Sequence, residues 1–241
     1  MLLSFERRIL FVRPAKVAAA SVEMFLQSAI WPRYHVSHEQ PRVCFRDGFV
    51  TARMTPPSPP SRSQHLMSRW WAIRYRGVGG GRRIDLSKLS NHSPPERVRS
   101  IVGERLWSNL FKVSIIRNFY DVEVSRYFWR NRLGIPSSKS EIQEDFESFV
   151  VSTGPANTNA RVVDDLEQFD FIIDFDNLEG DLQWVVSHCG LEISVDGTVP
   201  REKSGLRPEW ATDYRAMYSR RAREAVQAKY SDQLTKTGQV F

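Results

Sequence analysis

The strongest constraint on folding lies in residues 111–129, FKVSIIRNFYDVEVSRYFW, where a short apolar run passes into a helix-compatible stretch with no glycine or proline between them. Residues 111–116 have the length and β-branched content of a buried strand, and Asp121 is placed to cap the helix that follows. A strand feeding directly into a helix is the unit of an α/β sheet, which binds ligands beyond the carboxyl ends of its strands. Arg117 and Ser125 then both face the junction. A helix's first turn offers unpaired N–H groups to an anion, and arginine adds a planar fork suited to phosphate oxygens. An edge arginine beside an ordinary cap has the same pattern.

A second strand-to-helix unit starts near the amino terminus. Residues 8–12, RILFV, suit a buried strand, and residues 21–30 change to helical spacing through Val22, Phe25, Leu26 and Ile30. Between them RPAKVAAA is a loop of small residues, with Lys16 as a point charge and Ser21 as a hydroxyl in the helix's first turn. It is not a Walker A loop, which sets lysine directly before Ser/Thr and needs glycines missing here. An alanine-rich helix start with a solvated lysine would look alike.

The remaining segments extend the same alternation. Residues 56–62, PPSPPSR, read as an exposed loop, Trp70, Trp71 and Ile73 as a strand, and the glycine run 77–81 as a turn. Ser93 and Glu96 make a capping box for a helix running to about Leu106 with Val98, Ile101 and Val102 on its apolar face. His92 stands just outside that helix, where the positive end of the dipole favours a neutral imidazole, the form a general base needs. A loop histidine is also commonly just solvated. Ser138 and Glu141 form a second capping box ahead of Ile142, Phe146, Phe149 and Val150, and residues 153–161 have loop composition. Residues 171–175 read as a strand and 178–189 as a helix that Gly190 stops. A basic loop follows at 197–208 with Lys203 and Arg207, two cations able to close over an anionic ligand. Residues 209–231 then read as one long helix whose arginines form a solvated face.

Composition narrows the function classes. With 241 residues and 41% hydrophobic content the chain suits a single α/β domain, residues 1–241, in which 40–85 is a variable, loop-rich insertion. Its formal charge of +6 favours anionic ligands, but the basic residues are scattered, so nucleic acid is not indicated. Cys44 and Cys189 form neither a CxxC pair nor a Cys/His pattern, which argues against structural zinc and a disulfide scaffold. Charges at Glu6, Arg7, Arg8, Arg13 and Lys16 interrupt the amino-terminal apolar stretch before it reaches a spanning length. No membrane span and a cytoplasmic location are expected.

Taken together, the segments resemble the carbohydrate sulfotransferases, in the branch that includes heparan sulfate and bacterial enzymes. RILFVRPAKVAAASVE is similar to the family's first phosphosulfate-binding element, a strand followed by something like PKTAGTS, with Lys16 and Ser21 at the lysine and serine. FKVSIIRNFYDVEVSRYFW resembles the second element, VRNPxxRxxSxY, with Arg117, Asn118, Ser125 and Tyr127 in place. FDFIIDFDNLEGDLQWVVSHCGL and YRAMYSRRAREAVQAKYSDQL are similar to a later strand-to-helix unit and to the terminal helix. The chain departs from the pattern at Ala19 and Ala20, usually Gly and Thr, and at Phe119, usually proline.

The resemblance implies a P-loop-like parallel sheet flanked by helices and 3′-phosphoadenosine 5′-phosphosulfate as co-substrate, with no metal. It implies that Lys16 and the loop amides of Val17, Ala18, Ala19 and Ala20, with Ser21, hold the 5′-phosphosulfate, and that Arg117 and Ser125 hold the 3′-phosphate. Lys203 and Arg207 would close on the donor. Lys16 would also neutralise the leaving oxygen, and His92 would take the proton of a carbohydrate or glycoconjugate hydroxyl. The tryptophans, among them Trp70, Trp71, Trp107 and Trp129, suit either sugar stacking or the core. The alternative from another class is a catalytically silent module that keeps the fold to bind nucleotide or a partner.

Overall fold

The structure, a computed structural model, describes residues 1–4, 7–30, 44–46, 49–51, 93–136, 138–191, 193–195, 199 and 206–241. Two of the expected site residues, His92 and Lys203, lie outside these, as do Trp70, Trp71 and the 77–81 glycine run.

Six short strands build one sheet in the order β3-β4-β1-β2-β5-β6. They are β1 (Leu2–Ser4), β2 (Ile9–Phe11), β3 (Cys44–Arg46), β4 (Phe49–Thr51), β5 (Phe111–Ile116) and β6 (Phe171–Asp174). The parallel sheet expected from the resemblance is corrected to a mixed one. β2, β5 and β6 run parallel, while β1 pairs antiparallel with β2 and β4, and β3 antiparallel with β4. The reason is connection length: β1 and β2 are joined by a few residues, enough for a hairpin, whereas β2 to β5 and β5 to β6 have long helical crossovers.

Strand alternation sends the apolar side chains to two cores. Leu2, Ile9, Phe11, Val113 and Ile115 join one face, and Leu3, Leu10 and Val12 the other. The first face is covered by α1 (Ala19–Ile30), α4 (Phe119–Arg130), α5 (Lys139–Ser152), α7 (Leu178–His188) and α8 (Arg220–Lys229), through residues such as Val22, Val124, Phe146, Val185 and Val226. The second is covered by α2 (Pro95–Val102) and α3 (Glu104–Trp107) through Val98, Val102, Leu106 and Trp107. Helices on both faces explain why β2 and β5 read as apolar runs instead of alternating with polar residues. Among the described residues no helix is long and apolar enough to cross a membrane.

Several helix boundaries move from their expected places. The capping box at Ser138 and Glu141 forms with both of its hydrogen bonds. At Ser93 and Glu96 it does not: Pro94 is the cap, with no side-chain bond, and Pro95 opens the helix. The single helix expected to reach Leu106 breaks at Gly103, whose φ of 83° and ψ of 157° suit only glycine. Gly190 does close α7 as expected, with its amide on the Ser187 carbonyl and that of Leu191 on Val186, the paired bonds of a Schellman end. The expected loop 153–161 carries α6 (Asn157–Asp164), and the expected helix 209–231 is two 3-10 turns followed by α8 and then α9 (Ser231–Thr237). Asp213 is one cause, because its side chain accepts the Arg215 amide in a local turn that competes with a helix.

Candidate functional site

The parallel register aligns the carboxyl ends of three neighbouring strands. Phe11 of β2 pairs with Val113 of β5, and Ile116 of β5 with Asp174 of β6. The loop after β2, the Arg117–Asn118 step after β5 and Phe175 after β6 therefore meet at one edge, the crevice where open α/β sheets bind ligands.

The loop after β2 is wound tightly. Lys16 and Ala18 have φ of 66° and 56°, left-handed values that a non-glycine residue adopts only under constraint, and Val17 between them does not. The Val17 side chain is fully buried in the core and holds the turn down. Alternating handedness turns successive N–H groups towards one side, as in an anion-binding nest. Ala18 then caps α1, its carbonyl accepting the Ser21 and Val22 amides. Ala19 and Ala20 are thus the first residues of the helix, where amides lack intrahelical acceptors, and Ser21 lies in the first turn as expected.

After β5 the cap is Asn118 in place of Asp121, because α4 begins one turn earlier than the sequence pattern indicates. The Asn118 side chain accepts the Tyr120 amide. Asp121, displaced into the first turn, becomes the centre of an ion-pair cluster. Arg117 reaches its Oδ2 with Nε at 2.5 Å and with Nη2, and Arg207 reaches Oδ1 with Nη1 at 2.6 Å. Arg207 also donates from Nη2 to the Asp121 carbonyl at 3.1 Å. The Arg117 guanidinium lies over the Phe175 ring at 4.0 Å, and its Nη1 donates to the Lys16 carbonyl at 3.3 Å. Burial pulls the Arg117 guanidinium below its ordinary pKa, and the adjacent Asp121 carboxylate opposes that pull. Arg117 stays charged, since guanidinium protonation persists far above neutrality.

Asp121, Ser125 and Trp129 recur every fourth residue on one flank of α4. Lys16 lies along that flank, its carbonyl held by Arg117 near the start of the helix and its ammonium over the Trp129 ring at 3.5 Å from the centroid. Half-buried Ser125 belongs to the stretch between them. Arg117 thus touches the Lys16 loop and shares Asp121 with Arg207, while Ser125 lies on the same helix flank as Asp121. Asp121 and Trp129 are the members the sequence reading assigned otherwise. The i, i+4 spacing of Arg117 and Asp121 was the available signal for the first of them.

A buried polar chain supports the loop from behind. Glu123, with no exposed side-chain surface, pairs with Arg126 at 2.6 Å and Lys229 at 3.8 Å and accepts a hydrogen bond from the Tyr230 hydroxyl. The same hydroxyl accepts the Ala156 amide at 2.5 Å. Two residues on, Thr158 Oγ1 accepts the Ala15 amide at 3.2 Å, which ties α6 to the residue preceding Lys16.

No protein-family model, curated protein or solved structure matches the chain. Among the described residues Arg117 and Arg207 meet at the Asp121 carboxylate, with Asp176 close enough to act on Arg117. Arg117 offers five N–H donors, of which Asp121 takes two and the Lys16 carbonyl one. Among the described residues the other two have no acceptor. Among the described residues no cluster of three or more His, Cys, Asp or Glu side chains is disposed to hold a metal ion.

Proposed function

We propose that the chain is a sulfotransferase that moves the sulfuryl group of 3′-phosphoadenosine 5′-phosphosulfate to a hydroxyl of a carbohydrate or glycoconjugate. The observation that carries this reading is the direct contact between Arg117 and the Lys16 loop, two segments 101 residues apart that each have the composition of half a phosphate site. The wound loop and the start of α1 suit the 5′-phosphosulfate, through Lys16, the amides of Val17 to Ala20 and the Ser21 hydroxyl. Arg117 and Ser125 suit the 3′-phosphate, and Arg207 and Lys203 are assigned to close over the donor. Asp121 holds both arginine forks in place while leaving donors on each.

In the proposed reaction the acceptor oxygen forms a bond to sulfur as the bond from sulfur to the bridging oxygen breaks, in line. Adenosine 3′,5′-bisphosphate leaves. Charge shifts onto the leaving oxygen, where a fixed ammonium such as that of Lys16 lowers the barrier more than mobile water does. His92 is assigned the acceptor's proton.

The test is a titration with adenosine 3′,5′-bisphosphate followed by transfer of labelled sulfate to an acceptor library. Lys16→Ala and Arg117→Ala should each weaken bisphosphate binding, and normal titration by either variant contradicts its assignment. His92→Ala should bind normally and lose about 10²–10⁴-fold in turnover. Binding without transfer to any acceptor would instead support the silent nucleotide-binding module.

A further inference from the structure

We infer that Gln239 is a positioning residue for the 3′-phosphate: it closes the start of α4 from a distant part of the chain and so fixes the turn that carries Arg117. The inference rests on the donor reading above and adds a residue that sets selectivity at that site.

The start of α4 has more amides than its own cap satisfies. The first N–H groups of a helix have no intrahelical acceptor. The Asn118 side-chain oxygen takes that of Tyr120, and the Phe119 amide is left over. Its acceptor comes from 120 residues away, the side-chain oxygen Oε1 of Gln239 at 3.3 Å. Asn118 Nδ2 donates to the neighbouring Val240 carbonyl at 3.0 Å. The Asn118 side chain therefore caps α4 with its oxygen and holds the returning segment with its nitrogen.

That segment is anchored on both sides of half-buried Gln239. Gly238 takes a left-handed φ of 65° beyond α9 and turns the chain back. The Phe241 ring stands edge-to-face against Tyr120 and Tyr218, with centroids 5.0 and 5.3 Å away, and the Arg223 guanidinium lies over it at 4.6 Å. The Tyr218 hydroxyl in turn donates to the Tyr120 carbonyl at 2.8 Å. Residues 118, 119 and 120, which directly follow Arg117, thus meet Val240, Gln239 and Phe241 in turn.

The braced turn also carries Asp121, which holds the Arg117 guanidinium, so a shift of the turn moves both relative to the Lys16 carbonyl that Arg117 contacts. An arginine fork recognises phosphate by geometry as well as charge, and that geometry is what the brace preserves. A glutamine suits the task because its oxygen is a neutral acceptor. It satisfies the amide without setting a negative charge at a helix end that must admit an anion.

The experiment compares Gln239→Met, which keeps side-chain length and removes the acceptor, with Phe241→Ala, which keeps the acceptor and frees the segment. Titration with adenosine 3′,5′-bisphosphate and with adenosine 5′-monophosphate separates the 3′-phosphate from the rest of the donor. Gln239→Met should lose about 3- to 10-fold in affinity for the bisphosphate, the range one hydrogen bond covers, and little for the monophosphate. Phe241→Ala should reproduce that pattern. In an Arg117→Ala background Gln239→Met should add no further loss, since its effect passes through the arginine. Hydrogen exchange needs no nucleotide: the Phe119 amide should exchange faster in Gln239→Met than in the wild-type protein.

An unchanged preference for the bisphosphate in Gln239→Met, or an equal loss with and without Arg117, overturns the role while leaving the donor site standing. Tighter binding also overturns it, because Gln239 would then be competing with the phosphate for the Phe119 amide. A wild-type protein that binds neither nucleotide, or both equally, refutes the donor reading itself and this role with it.

Discussion

Tyr230→Phe is the perturbation that most sharply tests how the site is braced. Tyrosine and phenylalanine differ by one hydroxyl, and the ring's stack on Phe119, 4.5 Å between centroids, is retained. What is lost is the junction made by that hydroxyl, which donates to Glu123 and accepts the Ala156 amide. Glu123 keeps Arg126 and Lys229, so its charge is not orphaned and the full penalty of a broken buried ion pair does not apply. The Ala156 amide loses its acceptor in a buried setting. One hydrogen bond to a charged group and one unsatisfied amide together cost about 2.5–6 kcal/mol. Against a typical total of about 5–15 kcal/mol this is a large fraction. Urea denaturation should show the midpoint falling by roughly 1 M or more with the slope unchanged. Ala156 leads to Thr158 and so to Ala15, hence hydrogen exchange at residues 15–18 should speed up in the same variant. A loss below about 1 kcal/mol would refute the account of the network, and unchanged exchange in the loop would refute its connection to the site.

Two other outcomes are expected. Asn159 is 5% exposed and among the described residues neither of its amide atoms has a hydrogen-bond partner, so Asn159→Leu should raise stability by about 1–3 kcal/mol; a lower urea midpoint would show that the amide is satisfied. Burial raises the pKa of Tyr127, Tyr218 and Tyr230 in the folded chain, with Asp145 adding to it at Tyr127 and Glu123 at the other two. Their contribution to stability is complete below the unfolded value of about 10 and declines as pH rises above it, because only the unfolded chain then releases the protons. Denaturation midpoints should therefore fall steeply above about pH 10, with the tyrosinate absorbance of these three of the seven tyrosines appearing only on unfolding; ionisation of all seven in the native protein would contradict the burial.

Local sequence determined a good part of this protein. The apolar runs at 8–12 and 111–116 mark strands because both faces of the sheet are covered, and the Ser138–Glu141 box and Gly190 mark helix ends through bonds spanning a few residues. These signals are local, so they survive without knowledge of the fold. Where local signals compete, the sequence misled: Asn118 and Asp121 can each cap a helix, and Asn118 does so. The 153–161 stretch has loop composition, yet it forms a helix whose Val163 enters the core beside Ala156, which the Tyr230 hydroxyl anchors.

Tertiary structure alone decided the rest. Only the parallel pairing of β2, β5 and β6 brings Lys16, Arg117 and Phe175 to one edge, and strand order is a long-range property that periodicity does not encode. Only the return of the chain at Arg207 turns Asp121 from a cap candidate into the carboxylate between two arginines. Trp129 likewise reads as core or sugar platform from its neighbours in sequence and proves to be the surface on which a lysine 113 positions earlier rests. That Lys16, Ser21, Arg117 and Arg207 lie at strand-to-helix and loop positions was legible in order; which of them meet was set by packing between segments far apart in sequence, where Coulomb attraction and desolvation act on distance in space.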